Sequence, residues 1–343
     1  MRRVVIPKPG GYDRLVVESA PDPSPEAGEV RVRTRAIGVN YADCITRMGL
    51  YASARKYVGY PITPGFEVTG IVDAVGPGVD DVRPGARVMA VTRFGGYASA
   101  VVVPRSQVFE IPSGFSEEEA AGFPAVFLTA HYALFELAHV REGDTVLIHS
   151  AAGGVGTAAL ELVRLAGAKS VAVVGRTDKI ATARAYGADV VIDKSREDLW
   201  RMARRAAPDG FDVVLDPNGR ETLRESYRHL RPTGRLVVYG FHSMLPRGRG
   251  TVRWLRLAWD VLRTPLFSPL TMTNENKSLL AFNLSYLFDE QSLLTRGMDE
   301  LLGWAREGRL KPLPTRTYRL EDVAAAHRDL ESGRTVGKLV LVP

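Results

Sequence analysis

Between residues 145 and 240, short apolar runs alternate with segments of helical period. Val146-Leu147-Ile148, Val190-Val191-Ile192, Val213-Val214-Leu215 and Leu236-Val237-Val238 are as long and as continuously apolar as strands covered on both faces. Ala159, Leu160, Leu162, Val163 and Ala166 recur at the spacing of one helix face. The pattern predicts strands at 145–149, 170–174, 190–193, 211–215 and 235–239, with helices at 156–166, 179–186, 198–206 and 221–230 between them. Such alternation implies a doubly wound parallel sheet with right-handed crossovers, and 278–283 is a sixth strand candidate.

Residues 1–122 read differently. Strand-like runs at 4–6, 15–17, 30–34, 66–75, 86–91 and 96–104 are separated by Pro and Gly, as in a partly closed β-barrel. Ser116 followed three residues later by Glu119 forms a capping box that opens a helix, and 123–138 reads as a second one. After Asn283, a helix at 291–307, a strand at 310–318, a helix at 320–330 and a strand at 338–342 restore the β character of the start. The expected organisation is a β-rich domain at 1–121, a nucleotide-binding domain at 122–309, and a return to the first domain at 310–343.

Composition narrows this little. The chain has 343 residues, enough for two ordinary domains, and a net charge of +6. Its basic residues are scattered, which suits a solvated surface better than nucleic-acid binding. One cysteine, Cys44, excludes an internal disulfide and a cysteine-rich zinc lobe. The opening MRRVVIPKPGGYD has no apolar run of signal-peptide length, so a cytoplasmic protein is expected.

The run Ala151-Ala152-Gly153-Gly154-Val155-Gly156 lies between the first strand and the first helix of the alternating region. It is a G-x-G-x-x-G motif with alanine in its first place. Unblocked backbone N–H groups at a helix N-terminus favour a pyrophosphate, so Ala152, Gly153, Gly154, Val155 and Gly156 are the expected phosphate cradle. About twenty residues further on, the second strand ends Val174-Gly175-Arg176-Thr177-Asp178-Lys179. Gly175 stands where an NAD site would place an acid, and Arg176 and Lys179 are cations suited to the 2′-phosphate of NADPH. Asp178 reads as a helix N-cap pointing away. Tyr239-Gly240 ends the fifth strand, at the edge where such sheets bind ligand, and is expected to border the nicotinamide.

The order of these parts, with Gly38-Val39-Asn40-Tyr41-Ala42-Asp43, Gly49-Leu50-Tyr51, Pro64-Gly65-Phe66-Glu67-Val68-Thr69-Gly70 and Gly337-Lys338-Leu339-Val340, resembles the medium-chain dehydrogenase/reductase superfamily and its quinone oxidoreductase branch. Phe267–Asp289 is similar to the vesicle amine transport protein-like subgroup. The resemblance implies a GroES-like β-barrel catalytic domain beside a Rossmann domain, and a homodimer formed through the last sheet strand. Zinc-bearing members have Cys where this chain has Asn40 and His where it has Phe66, so no metal is expected, because zinc catalysis needs about three protein ligands. Zinc-free relatives place residues matching Asn40, Tyr51 and Thr129 near the nicotinamide or substrate, and Tyr51 matches a tyrosine that protonates the α-carbon in enoyl reductases. Lys338 matches a position that often neighbours cofactor, with a plain surface lysine as its alternative. The implied activity is NADPH-dependent reduction of a quinone or an α,β-unsaturated carbonyl.

The stretch at 251–263 puts Arg253, Arg256, Asp260 and Arg263 on one helical face and Val252, Leu255, Ala258, Trp259 and Leu262 on the other. The plain expectation is that the apolar face packs inward, covers the substrate site or meets a second subunit. The same pattern suits a helix lying on an anionic membrane surface, which gives a second hypothesis of a non-catalytic, NADPH-binding protein at membranes.

Overall fold

The computed structural model describes residues 1–245 and 251–343 and divides into two compact units. The first holds Met1–Leu128 and Ser285–Pro343, and the second holds Thr129–Leu245 and Arg253–Leu284, apart from a few residues around 246–252.

In the first unit a sheet runs in the order Thr315–Arg319, Lys338–Val342, Glu29–Val39, Glu67–Val75, Arg87–Val91, Val108–Glu110. Glu29–Val39 is the organising strand. Its start pairs with Ala100–Pro104, its end with Lys338–Val342, and most of its length with Glu67–Val75. Register breaks between Arg31 and Val32 and between Thr34 and Ala36 bend it, as bulges do, and let one strand serve three partners. Val30, Val32, Ile37, Val68, Val72 and Leu341 are wholly buried beneath it. The capping box forms: Ser116 Oγ accepts from the Glu119 N–H at 3.2 Å, and Glu119 Oε2 accepts from the Ser116 N–H at 2.9 Å.

Helix Gln291–Arg306 differs in place from the expected boundary at 309/310, since it belongs to the first unit. Arg93 explains this, donating to the Ser285 carbonyl at 3.0 Å and pairing with Asp289, which anchors the chain just before the helix. The predicted helix at 123–138 is α-helical only over Pro124–His131 and continues as a π-helical turn over Tyr132–Leu137.

The second unit has a six-stranded parallel sheet ordered Val190–Asp193, Lys169–Val174, Thr145–Ile148, Phe211–Asp216, Leu230–Val238, Ser278–Ala281. The order reverses between Thr145–Ile148 and Phe211–Asp216, the switch point where doubly wound sheets take ligand. Ser278–Ala281 is one of the two edge strands and, among the described residues, pairs only with Leu230–Val238. Helix Pro269–Glu275, not anticipated, begins on proline and ends at Asn276 in the left-handed region.

Of the expectations for this stretch, inward packing of the apolar face is the one that helix Trp254–Leu262 overturns. Asp260 is the buried residue, held by Arg220 at 3.2 Å, while Leu255 is 91% exposed and Leu262 81%. The Arg220–Asp260 pair turns the helix so that its apolar side faces outward. Residues 246–250, a few positions before it, lie outside the described residues.

Candidate active site

In the first unit, pairing brings three distant residues together. Leu339 sits opposite Val39 and Val68 opposite Ile37, so Lys338, Asn40 and Glu67 gather at one end of the organising strand. The Lys338 ammonium lies 2.6 Å from Glu67 Oε1, and both side chains are buried. Asn40 Nδ2 donates to the same oxygen at 2.9 Å, and Asn40 Oδ1 accepts from Lys338. Glu67 Oε2 accepts from the Ala125 N–H at 2.7 Å. Gly38 makes room for this, because a Cβ there would fall 2.3 Å from Glu67 Oε1. The surface-lysine alternative for Lys338 is overturned by its 3% exposure. Phe66 cannot ligate, both ends of the Asn40 amide are engaged, and the ammonium occupies the cationic place beside Glu67. This donor set does not fit a zinc ion.

Tyr51 stands at the N-cap of helix Ala52–Tyr57. Its ring meets Phe66 at 5.9 Å and Phe94 at 6.2 Å, edge-on to both, in a cluster with Ile6, Ala54 and Ile62. Thr129 is half-buried on the otherwise closed helix Pro124–His131, at the start of the second unit.

Asp43 does more than cap its helix. Its carboxylate accepts from the Asn40 N–H at 2.8 Å, the Gly65 N–H at 2.9 Å and the Tyr97 hydroxyl at 3.0 Å. It thereby pins the loop that carries Phe66 and Glu67. Burial pushes its carboxyl up to about 7 against the pull of these donors. Tyr97 also meets His327 Nε2 at 3.2 Å, and burial with the Arg47 charge drives the His327 pKa down to about 3, so the ring stays neutral.

Among the described residues, Cys44, His327 and Glu331 form the one group spaced for a metal. Glu331 there is already committed. Arg47 holds Oε1 at 2.7 Å, the Tyr12 hydroxyl donates to Oε2 at 2.6 Å, and the guanidinium stacks over the Tyr12 ring. A buried guanidinium repels a second cation, so this cluster reads as an ion pair tying the helix Val323–Glu331 to Tyr41–Arg47.

In the second unit the glycine turn leads straight into helix Gly154–Leu165. Gly153 is its N-cap and provides no side-chain cap, which leaves the first N–H groups of the helix without a capping side chain. Ala152 is buried, whereas Gly153, Gly154 and Val155 are part-exposed. A Cβ at Gly156 would meet Ser150 O at 2.5 Å and Ala151 Cα at 2.6 Å, so glycine is required for the helix to pack against its own turn. Ser150 has φ +54° and donates to Asn218 Oδ1 at 3.1 Å.

A buried network that the sequence reading missed braces the far side of this turn. Asp216 accepts from the Asn218 and Gly219 N–H groups and from the hydroxyls of Thr222 and Ser226, and His149 Nε2 meets Ser226 Oγ at 3.0 Å. The signal for it was an aspartate ending an apolar strand, since a buried acid must find donors. Tyr239 lies tilted against Phe282 with ring centroids 6.3 Å apart, and Gly240 passes so close to Pro217 that a Cβ would lie 2.8 Å from its carbonyl.

Lys179 is half-buried, and burial lowers its pKa. Arg176 is exposed and forked onto Asp178 at 2.9 and 3.1 Å. Asp178 thus holds Arg176 and does not cap the helix, because a short aspartate two residues on reaches the guanidinium.

Residues 26–113 match the alcohol dehydrogenase GroES-like domain and residues 186–341 the zinc-binding dehydrogenase model. The chain is 35% identical to the synaptic vesicle membrane protein VAT-1 homolog of Rattus norvegicus, over 100% of this chain and 84% of the relative. It is 33% identical to a 2-haloacrylate reductase of a Burkholderia species, over 99% of this chain and 98% of that one. Among solved structures, the Escherichia coli quinone oxidoreductase complexed with NADPH superposes with a TM-score of 0.84 at 29% identity, each chain covered in full. Fold and relatives together define a two-domain oxidoreductase. The chain belongs to the medium-chain dehydrogenase/reductase superfamily, in the quinone oxidoreductase-like branch beside the VAT-1 homologues.

Proposed function

We propose that the protein is an NADPH-dependent, zinc-independent reductase of quinones or α,β-unsaturated carbonyls. The observation that carries this reading is the uncapped helix start at Gly153, next to a strand end where Gly175 replaces an acid and Arg176 and Lys179 supply cations. NADPH, when bound, supplies the hydride. The N–H groups of Gly154, Val155 and Gly156 at the helix start, on the turn made by Ala152 and Gly153, bind the pyrophosphate, and Arg176 and Lys179 meet the 2′-phosphate. Tyr239 and Gly240 border the nicotinamide, and Thr129 lines the reacting end. Asn40, held at both ends of its amide by Lys338 and Glu67, orients the bound groups, and Lys338 contributes by fixing Asn40. The Tyr51 hydroxyl delivers the proton to the substrate α-carbon. An activated acceptor spreads charge to its carbonyl, so it needs orientation and a proton source more than a Lewis acid.

The free edge of Ser278–Ala281 supports a symmetric dimer formed through that strand. The reading tested first is turnover: NADPH oxidation against one quinone, one enone and one enoyl thioester, with NADH as control. Turnover with NADPH supports the reductase, and binding of NADPH with no acceptor reduced counts against it.

The outward apolar face of helix Trp254–Leu262 favours a second reading, a role at an anionic lipid surface. Trp254 and Trp259 are more than half exposed, and Arg253, Arg256 and Arg263 flank them. Among the described residues no helix is long and apolar enough to cross a membrane. Co-sedimentation with phosphatidylserine vesicles, lost in Trp254→Ala/Trp259→Ala, supports this reading, and equal sedimentation with neutral vesicles opposes it. A protein that also turns over acceptors works in solution or at such a surface, with the cytoplasm as the expected compartment.

A further inference from the structure

Helix Ala52–Tyr57 has six residues, too few to stand without tertiary contacts, and Tyr51 is its N-cap. Two consecutive residues of a distant segment, Arg93 and Phe94, grip its two ends. That segment is itself fixed, since the Thr92 N–H donates to the Phe66 carbonyl at 2.9 Å and the Gly95 N–H to the Thr63 carbonyl at 2.9 Å. Between these two bonds Phe94 takes φ +133°, a backbone conformation rare for any residue with a side chain. Such strain persists only where the surroundings hold it, and it points to function.

At the start of the helix, Phe94 is buried and its ring meets Tyr51 at 6.2 Å and Phe66 at 5.1 Å. At the other end, the Arg93 guanidinium lies 3.8 Å from the centre of the Tyr57 ring. The Arg93 side chain is 21% exposed, and a cation partly withdrawn from water binds a ring face more strongly. Arg93 also donates to the Ser285 carbonyl at 3.0 Å and pairs with Asp289, and Asp289 Oδ2 accepts from the Tyr57 hydroxyl at 3.1 Å. Arg93, Tyr57 and Asp289 thus close a ring of contacts that fixes both the face and the tip of the tyrosine. The Lys56 ammonium, 4.9 Å from the same ring centre, belongs to the helix itself and cannot anchor it.

We propose that Arg93 is a positioning residue: by clasping Tyr57 it fixes helix Ala52–Tyr57, and through that helix it holds the Tyr51 hydroxyl where the proton is delivered. The role rests on the reading of Tyr51 as proton donor given above. Six helical residues span about 9 Å, so a loosened grip at one end is felt at the other. A reacting group displaced by about 1 Å costs up to about 10²-fold in rate.

The experiment compares steady-state NADPH oxidation with an enone for wild type, Arg93→Gln, Arg93→Lys, Tyr51→Phe and Arg93→Gln/Tyr51→Phe, alongside hydrogen exchange of the full-length protein. Arg93→Gln is expected to lower kcat about tenfold while the KM for NADPH stays unchanged. Arg93→Lys falls between the two, because it keeps the charge but not the planar fork. In the Tyr51→Phe background Arg93→Gln is expected to add no further loss, and exchange is expected to quicken over residues 52–57 alone. A wild-type kcat in Arg93→Gln, beside a Tyr51→Phe that loses activity, overturns the proposal and leaves the Tyr51 reading intact. An equal loss in both backgrounds, or faster exchange throughout the first unit, marks a merely structural role and overturns it too. A Tyr51→Phe with wild-type kcat overturns the Tyr51 reading and this proposal together.

Discussion

Lys338 and Glu67 face each other at 2.6 Å with neither side chain open to solvent. Removing one member of a buried pair strands the other charge and costs about 3–5 kcal/mol, more than the pair contributes over an apolar replacement. Lys338→Met is therefore expected to destabilise the protein by that amount in urea unfolding. Lys338→Met/Glu67→Gln is expected to recover most of it. A double variant as unstable as the sum of the singles would show that the two do not interact.

Tyr51→Phe keeps the ring edge-on to Phe66 and Phe94. Thermal stability is expected to stay within about 1 kcal/mol of wild type, because packing is conserved. The kcat with an enone is expected to fall by about 10²-fold or more, the scale of a lost general acid. A kcat equal to wild type, measured in steady-state NADPH oxidation, would assign the proton to another donor.

Gly156→Ala forces a methyl to within 2.5 Å of the Ser150 carbonyl. Since the obstacle is backbone, the turn must shift, at a cost of about 1–3 kcal/mol. The change is expected to weaken NADPH and NADH alike, because it disturbs the shared pyrophosphate cradle. Cofactor titration separates this from a 2′-phosphate effect, which touches NADPH alone.

His327 has its pKa lowered from 6.5 to about 3 in the folded chain. A depressed histidine contributes its full stability above pH 6.5 and loses it progressively as pH falls from 6.5 toward 3, because the unfolded chain takes the proton first. The stability difference between wild type and His327→Gln is expected to shrink on acidification through this window. Unfolding midpoints at pH 7 and pH 5 check it, and a constant difference would mean that His327 does not titrate with unfolding.

Much of the fold was legible in the sequence because it is local. The short apolar runs, the Ser116–Glu119 box and the strand–glycine–helix order around Gly153 each depend on neighbours within a few positions. The candidate site was legible only in part. Asn40, Glu67 and Lys338 could be named, but their mutual contact could not, since Asn40 and Lys338 are 298 residues apart and meet through two strand pairings. The helix at 254–262 shows the limit most plainly: its two faces were evident, yet which one turned inward was not.

The sequence by itself determined the two-domain architecture, the glycine turn and the missing acid at Gly175, because periodicity, capping and backbone freedom are properties of short segments. Only the tertiary structure decided that Lys338 neutralises Glu67 and that Asp260 turns its helix outside-in. Each of these is a charge finding a partner across distant chain, and no local pattern records that choice.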